Sequence, residues 1–408
     1  MSLILMTTLV GTTTAIYCGK YLLNETLSNR LSSFKLRYFY SLYQFFFFIA
    51  TLIFVSNNLG IVWVGMECAT FCTVLLVSVS RSSQSLEAAW KYLIICGLGL
   101  AQALLGTILL FFATESVLSA NDALLLSEIT SVSHQLSQPI VGLAFVFILI
   151  GYGTKAGFFP LHNWLPDAYG ESIAPVLSLL SGVLINAALY TVFRFKVIVD
   201  GSFGTEFAGH FLIGFGLINI IVASLFMLRQ RELKRLFAYS SIEHVGIICF
   251  AFGIGTPLAI FAGLLHMLSH SLAKTAAFFS AGSAIQLRAR ILMSEITDLA
   301  KDSPGIGWGL LLSTFALIGL PPFSLFISEV LIILATIKYQ AWLALPLVIG
   351  LLIAFSAMIS HVQRMVFYSS GTNPDVSDVR VSVIPVYVHL MLLVAIGLLV
   401  PYLMSHFA

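Results

Sequence analysis

Eight ionisable side chains of this 408-residue sequence stand inside long apolar runs, where a charge is costly. Glu67 lies eight residues into the run 59–80, roughly 12 Å deep at about 1.5 Å per helical residue. Lys155 falls in the run 138–168, beside Gly157 and Pro160, and Glu243 and His244 lie about two turns into 235–253. His266, His270 and Lys274, within 256–284, repeat every four residues and so share one helix face. Glu329 follows Pro321 by eight residues in 306–337. A charge at the bilayer centre costs from about 3 to over about 10 kcal/mol, so such residues are rare and usually functional. Carboxylate, amine and imidazole groups in succession are what proton relay requires, because each member must hold or release a proton near neutral pH. Burial disfavours the charged form of lysine and glutamate alike, and histidine needs little tuning. A Glu67–Lys155 pair is expected, whose making and breaking would load and unload the amine. The competing reading is structural: ion pairs holding helices together and, for His244 alone, a hydrogen-bonded core histidine.

The elements that position these groups follow from composition. The chain is 59% hydrophobic and 9% charged, with a mean hydropathy of +0.99. A globular domain carries about a quarter charged residues, so a soluble enzyme, a nucleic-acid binder and a disordered regulator are excluded. The apolar runs are continuous rather than alternating, which selects membrane-spanning helices over a barrel. About twelve spans are predicted, at 1–19, 38–56, 59–80, 88–114, 138–168, 172–195, 208–228, 235–253, 256–284, 306–337, 341–364 and 382–404. The first lacks a basic leader and reads as a span rather than a signal peptide. Two spans are too long to be simple helices and should break, one near 155–160 and one near 319–322.

The breaks lie five spans apart. Five is odd, so two five-helix units, 38–195 and 208–364, would face opposite ways as inverted repeats, flanked by 1–37 and 365–408. Loops after odd-numbered spans carry fifteen lysines and arginines, Arg30 and Arg380 among them, against Arg194, Lys196 and Lys338 after even-numbered ones. The positive-inside rule then puts both termini outside. The acidic stretch 115–137 is predicted external and solvated. Cys18, Cys68, Cys72, Cys96 and Cys249 form no CxxC pair, so an iron–sulfur cluster is not expected, nor any metal or other cofactor in this chain. No GxSxG, Walker, HExxH or dinucleotide motif occurs, so no catalytic residue is assigned.

The run Gly153-Thr154-Lys155-Ala156-Gly157-Phe158-Phe159-Pro160-Leu161-His162-Asn163-Trp164-Leu165-Pro166-Asp167-Ala168 resembles the signature of the antiporter-like subunits of respiratory complex I and their Mrp antiporter relatives. The run from Leu233 and Lys234 through Glu243 and His244 to Gly246, and that from His266 to Lys274, support the resemblance. The stretches from Ser56 to Glu67 and from Ser85 to Tyr92 look most like component F of hydrogenase-4-type membrane hydrogenases. The resemblance covers nearly the whole chain. It implies an all-α polytopic membrane protein and a relay through Glu67, Lys155, Lys274 and Glu329, with His270 lining its axis; the residues themselves add His244 to the relay and Glu243, His266 and Lys234 as additional candidates. Asn186 stands where complex I subunits often carry a second lysine, and it is expected to hold water in the path.

The implied function is proton translocation in a hydrogenase-4-like or complex I-like oxidoreductase of a bacterial-type inner membrane. Expected partners are other membrane subunits, one supplying two leading helices that this chain lacks, and redox or carbonic-anhydrase-like peripheral subunits; nucleic acid is not expected. The alternatives are a cation/proton antiporter, an ion-coupled inorganic-carbon uptake subunit, or a non-transporting scaffold.

Overall fold

The computed structural model describes residues 1–27, 32–369 and 382–407; Arg30 and Arg380 lie outside them. The chain begins with α1 (Ser2–Leu27), α2 (Ser33–Val55), α3 (Leu59–Val77), α4 (Ser83–Glu115) and the short α5 (Leu126–Ser131). Next come α6 (Gln138–Ala156), α7 (Trp164–Glu171) and α8 (Ala174–Leu179), the last joined through a π turn at Leu180–Leu184 to α9 (Ile185–Phe203). α10 (Thr205–Met227), α11 (Leu233–Ile254), α12 (Pro257–Arg288) and the single turn α13 (Leu299–Asp302) follow. The last are α14 (Pro304–Leu317), α15 (Ser324–Gln340), α16 (Ala344–Phe367) and α17 (Ile384–Phe407). Counting α6–α7 and α14–α15 as one broken span each, these helices follow the twelve predicted runs in order.

Helix starts follow local chemistry. The side chains of Ser32, Asn58, Ser82 and Thr256 accept hydrogen bonds from the first-turn N–H groups of α2, α3, α4 and α12. Pro257 and Pro304 open α12 and α14, where a missing N–H costs nothing. Among the described residues nine helical stretches are long and apolar enough to cross a membrane, one of them, Ser324–Phe367, holding both α15 and α16. α12 is not among the nine although it has 32 residues, because its interior carries the polar groups of interest. α11 and α12 are buried on almost every face and form the centre of the molecule. In the stretch 115–137 Glu115 and Glu128 are exposed as expected, but Leu126 and Ile129 are buried and Leu126 N–H donates to the Asn57 carbonyl.

Both breaks use one backbone device. α6 runs unbroken through Gly151 and Gly153 and stops at Gly157 (φ 92°), after which Phe158 N–H donates to Gly153 O at 2.8 Å. After α14, Gly319 has φ 64° and Leu320 N–H donates to Phe315 O at 3.0 Å. These six-residue bonds across a left-handed glycine close a helix end while satisfying its last carbonyls. The Phe159–Pro160 and Pro321–Pro322 peptides that follow are cis. At the first break Asn219 of α10 takes up the freed backbone: its Oδ1 accepts from Phe159 N–H (2.8 Å) and its Nδ2 donates to Gly157 O (3.4 Å). Non-helical backbone at membrane depth survives where protein supplies such partners.

Candidate functional site

Lys155 occupies the last turn of α6 and is fully buried. Its ammonium donates to Thr70 Oγ1 of α3 (2.8 Å) and to the Tyr92 hydroxyl of α4 (2.5 Å). It also lies 4.3 Å from the Tyr92 ring centroid and 5.9 Å from that of Trp164. Tyr92 and Trp164 stack at 4.4 Å, and Trp164 Nε1 donates to Thr154 O, so the short helix α7 closes the cradle. Thr73 donates its hydroxyl hydrogen to Ala69 O, which leaves its oxygen to accept from Tyr92 at 2.7 Å. The expected Glu67–Lys155 ion pair is absent. Glu67 stands three residues before Thr70 on α3, its Oε2 has no hydrogen-bond partner among the described residues, and two hydroxyls have taken its place on the amine.

Toward the centre, Ser181 in the π turn meets Ser241 of α11 at 3.1 Å, and Ser241 Oγ donates to Phe237 O. The same carbonyl accepts from Lys274 Nζ at 2.9 Å. Lys274, like Lys155, is fully buried with neutral hydrogen-bond acceptors only. Asn186 faces another way: its amide donates to Met267 O and Gly182 O and contacts Ser271 Oγ, so it binds α9 to α12. Lys234 donates to Gly170 O (2.7 Å) and Ser172 O (2.9 Å) and ties α11 to the end of α7.

The second half brings five of the predicted residues into one cluster. Ser328 donates its hydroxyl hydrogen to Leu325 O (2.8 Å), so the 2.9 Å contact with His266 Nδ1 is a bond in which the imidazole donates. In neutral His266 the other nitrogen, Nε2, is then bare and accepts from His244 Nδ1–H at 2.9 Å. That leaves His244 Nε2 as a bare, buried nitrogen without a hydrogen-bond partner among the described residues, 3.9 Å from Glu243 Oε2. The His270 ring lies 5.0 Å from that of His244, and neither of its nitrogens has a partner among the described residues. Glu329 lies directly against Gly319, where any Cβ would run into its carboxylate. Glu243 and Glu329 together line a cavity of about 10 Å³, the size of one water.

Sequence reasoning missed Tyr92 and Thr70, the groups that hold Lys155, and Ser328, which sets the His266 tautomer. Each partner lies 62 to 85 residues away on another helix, so no spacing rule points to it.

A family model described as NADH:quinone oxidoreductase/Mrp antiporter, TM, matches residues 56–356. The hydrogenase-4 component F homolog of Methylacidiphilum infernorum is 41% identical over 399 residues, covering 98% of this chain and 83% of that protein. A chain of the membrane-bound sulfane sulfur reductase, an archaeal respiratory membrane complex, is 25% identical with a TM-score of 0.80, over 88% of this chain and 73% of its own. A chain of the Mrp complex of Dietzia sp. DQ12-45-1b, 18% identical, shares the fold at a TM-score of 0.84, over 98% of this chain and 80% of its own.

Proposed function

Since this chain belongs to the NADH:quinone oxidoreductase/Mrp antiporter transmembrane family, we propose that it is the proton-translocating membrane subunit of a hydrogenase-4-like or complex I-like oxidoreductase assembly. The observation that carries the reading is the state of the two lysines. Lys155 and Lys274 are fully buried, yet each is hydrogen-bonded only to neutral acceptors, hydroxyls in one case and a carbonyl in the other. An amine so held can give up its proton without breaking a direct ion pair, which a structural salt bridge could not do.

The path runs from Lys155 along the Ser181 and Ser241 hydroxyls to Lys274, then through His270, His244 and His266 to Glu329. Glu243 feeds the bare nitrogen of His244, and Asn186 serves by fixing α12 rather than by carrying a proton. Glu67 is the second resting place for the Lys155 amine when it leaves Thr70 and Tyr92. Lys234 keeps α7 seated over the first break. The units 38–195 and 208–364 act as inverted repeats with one break each. The other membrane subunits of the assembly are its partners, redox chemistry resides in peripheral subunits, and the chain lies in a bacterial-type inner membrane with both termini outside.

The test is proton translocation by the intact assembly carrying Lys155→Ala or Lys274→Ala. Each variant should stay incorporated while translocation falls at least about a hundredfold, the low end of what removing a proton-transferring group costs. Wild-type translocation in both variants overturns the reading.

A further inference from the structure

We infer that His244, His266 and Glu329 form a binding site for one divalent transition-metal ion of the zinc class, and that an ion bound there closes the relay. One nitrogen from each imidazole and one carboxylate oxygen, from α11, α12 and α15, lie within 4.8 Å of one another. In a tetrahedral zinc site with bonds of about 2.0–2.1 Å, two imidazole nitrogens stand about 3.3 Å apart. His244 Nδ1 and His266 Nε2 are 2.9 Å apart, so a few tenths of an ångström of opening admits the ion between them.

The surroundings of the two rings are those of a metal site. His266 already donates Nδ1–H to Ser328, which leaves Nε2 bare and aimed at the ion's position. Shifting the His244 proton from Nδ1 to Nε2 would expose Nδ1 to the ion and turn an N–H toward Glu243 Oε2, 3.9 Å away. The buried nitrogen that now lacks a partner would thereby gain one. Metal-bound histidines commonly donate their other N–H to a carboxylate or another acceptor in this way. The ion's two positive charges would face the carboxylates of Glu329 and Glu243. The cavity of about 10 Å³ between those carboxylates has room for one water as fourth ligand. Two imidazoles and a carboxylate suit zinc-like ions, whereas magnesium and calcium demand an oxygen shell.

The binding claim stands without the relay; only the closure rests on the proposed function. The experiment titrates the intact assembly with Zn²⁺ alone and measures binding and proton translocation on the same samples. One tight equivalent is expected. It should weaken at least tenfold in His266→Gln and in Glu329→Gln, and about 10- to 100-fold in Glu243→Ala, which loses the N–H acceptor but no ligand. His134→Gln, exposed between α5 and α6, should bind as wild type does. X-ray absorption of the Co²⁺ form of the wild-type protein tests the ligands without any substitution: two imidazoles support the site, an all-oxygen shell overturns it. Equal zinc affinity in wild type and folded His266→Gln also overturns it. Zinc bound by the two histidines with translocation unimpaired would uphold the site and overturn the closure, and would remove His244 and His266 from the relay.

Discussion

The two helix breaks share a backbone and differ in almost everything placed upon it. Each ends in a left-handed glycine with a six-residue hydrogen bond across it. At the first, a cation sits in a finished cradle of two hydroxyls and two stacked rings, and Asn219 satisfies the freed backbone. At the second, a carboxylate presses on the glycine itself, amid three imidazoles with three unpartnered nitrogens and a second carboxylate. Buried polar atoms without a partner among the described residues occur at both breaks, Glu67 Oε2 and His162 Nδ1 at the first and imidazole nitrogens of His244 and His270 at the second, so what separates the breaks is which groups stand in them. The backbone device opens the helix at membrane depth, and the side chains that crowd into the opening decide whether it is a fixed seat or a place where protons and ions arrive.

Alanine at the two glycines breaks or sharpens this contrast most strongly. Any side chain at Gly319 or Gly157 incurs left-handed strain of about 1–2 kcal/mol, so both variants should melt earlier. The methyl group at Gly319 would also take the space of the Glu329 carboxylate, whereas at Gly157 it meets apolar side chains, the Leu165 Cδ1 methyl at 2.9 Å and Ile242 Cγ1 at 3.6 Å. Gly319→Ala should therefore cut translocation at least about tenfold and Gly157→Ala by less than about threefold, since only the first displaces a proton-transferring group. Equal loss in the two would show that the glycines act through backbone shape alone and would dissolve the distinction.

Hydroxyl deletions come next in size. Tyr92→Phe keeps the ring over Lys155 and the stack on Trp164 but removes an acceptor from the ammonium. A hydrogen bond to a charged group is worth about 1.5–3 kcal/mol, so translocation should fall roughly tenfold. Ser328→Ala removes the acceptor of a neutral imidazole N–H, worth about 1 kcal/mol, and should reduce it only a few-fold. If Ser328→Ala proves the more damaging, the first break is not the rigid seat described here. Parallel translocation assays, with melting curves as the check on folding, read the order directly.

What was legible in the sequence follows a physical boundary. Helix limits, both breaks and the buried ionisable groups are local properties, written in apolar runs, in glycine and proline and in the cost of a charge among them. Which group touches which is set by helix packing. Charge alone pairs Glu67 with Lys155; packing instead sets Thr70, one turn along α3, and Tyr92 of α4 against the amine. The resemblance puts Asn186 where relatives often carry lysine, and in the fold its amide is turned to α12. His266 and His270 share a face as the four-residue spacing required, yet one is locked by Ser328 and His244 while the other is unpartnered. Periodicity orders a face; it does not say what lies opposite.

The smallest expected effect tests whether the seat at the first break depends on its outer charges. Asp167 of α7 pairs with Lys91 and Arg235, each at 3.1 Å, and these two also pair with Glu87 and Glu232. The network looks like an anchor for the helix that closes over Lys155. Its members are partly exposed, however, with side-chain exposures of 26% for Asp167, 34% for Arg235 and 48% for Lys91. Ion pairs in such surroundings are worth about 0–1 kcal/mol and weaken with salt. The firmer holds on α7 are the buried Trp164 Nε1–Thr154 O bond and the half-buried Lys234, bonded to the carbonyls of Gly170 and Ser172. Asp167→Asn should therefore cost under about 1 kcal/mol in thermal unfolding, less still at high salt, and leave translocation unchanged. A large loss of translocation would mean instead that protons reach Lys155 over α7 past Asp167, and the first break would then be an entry port as open as the second.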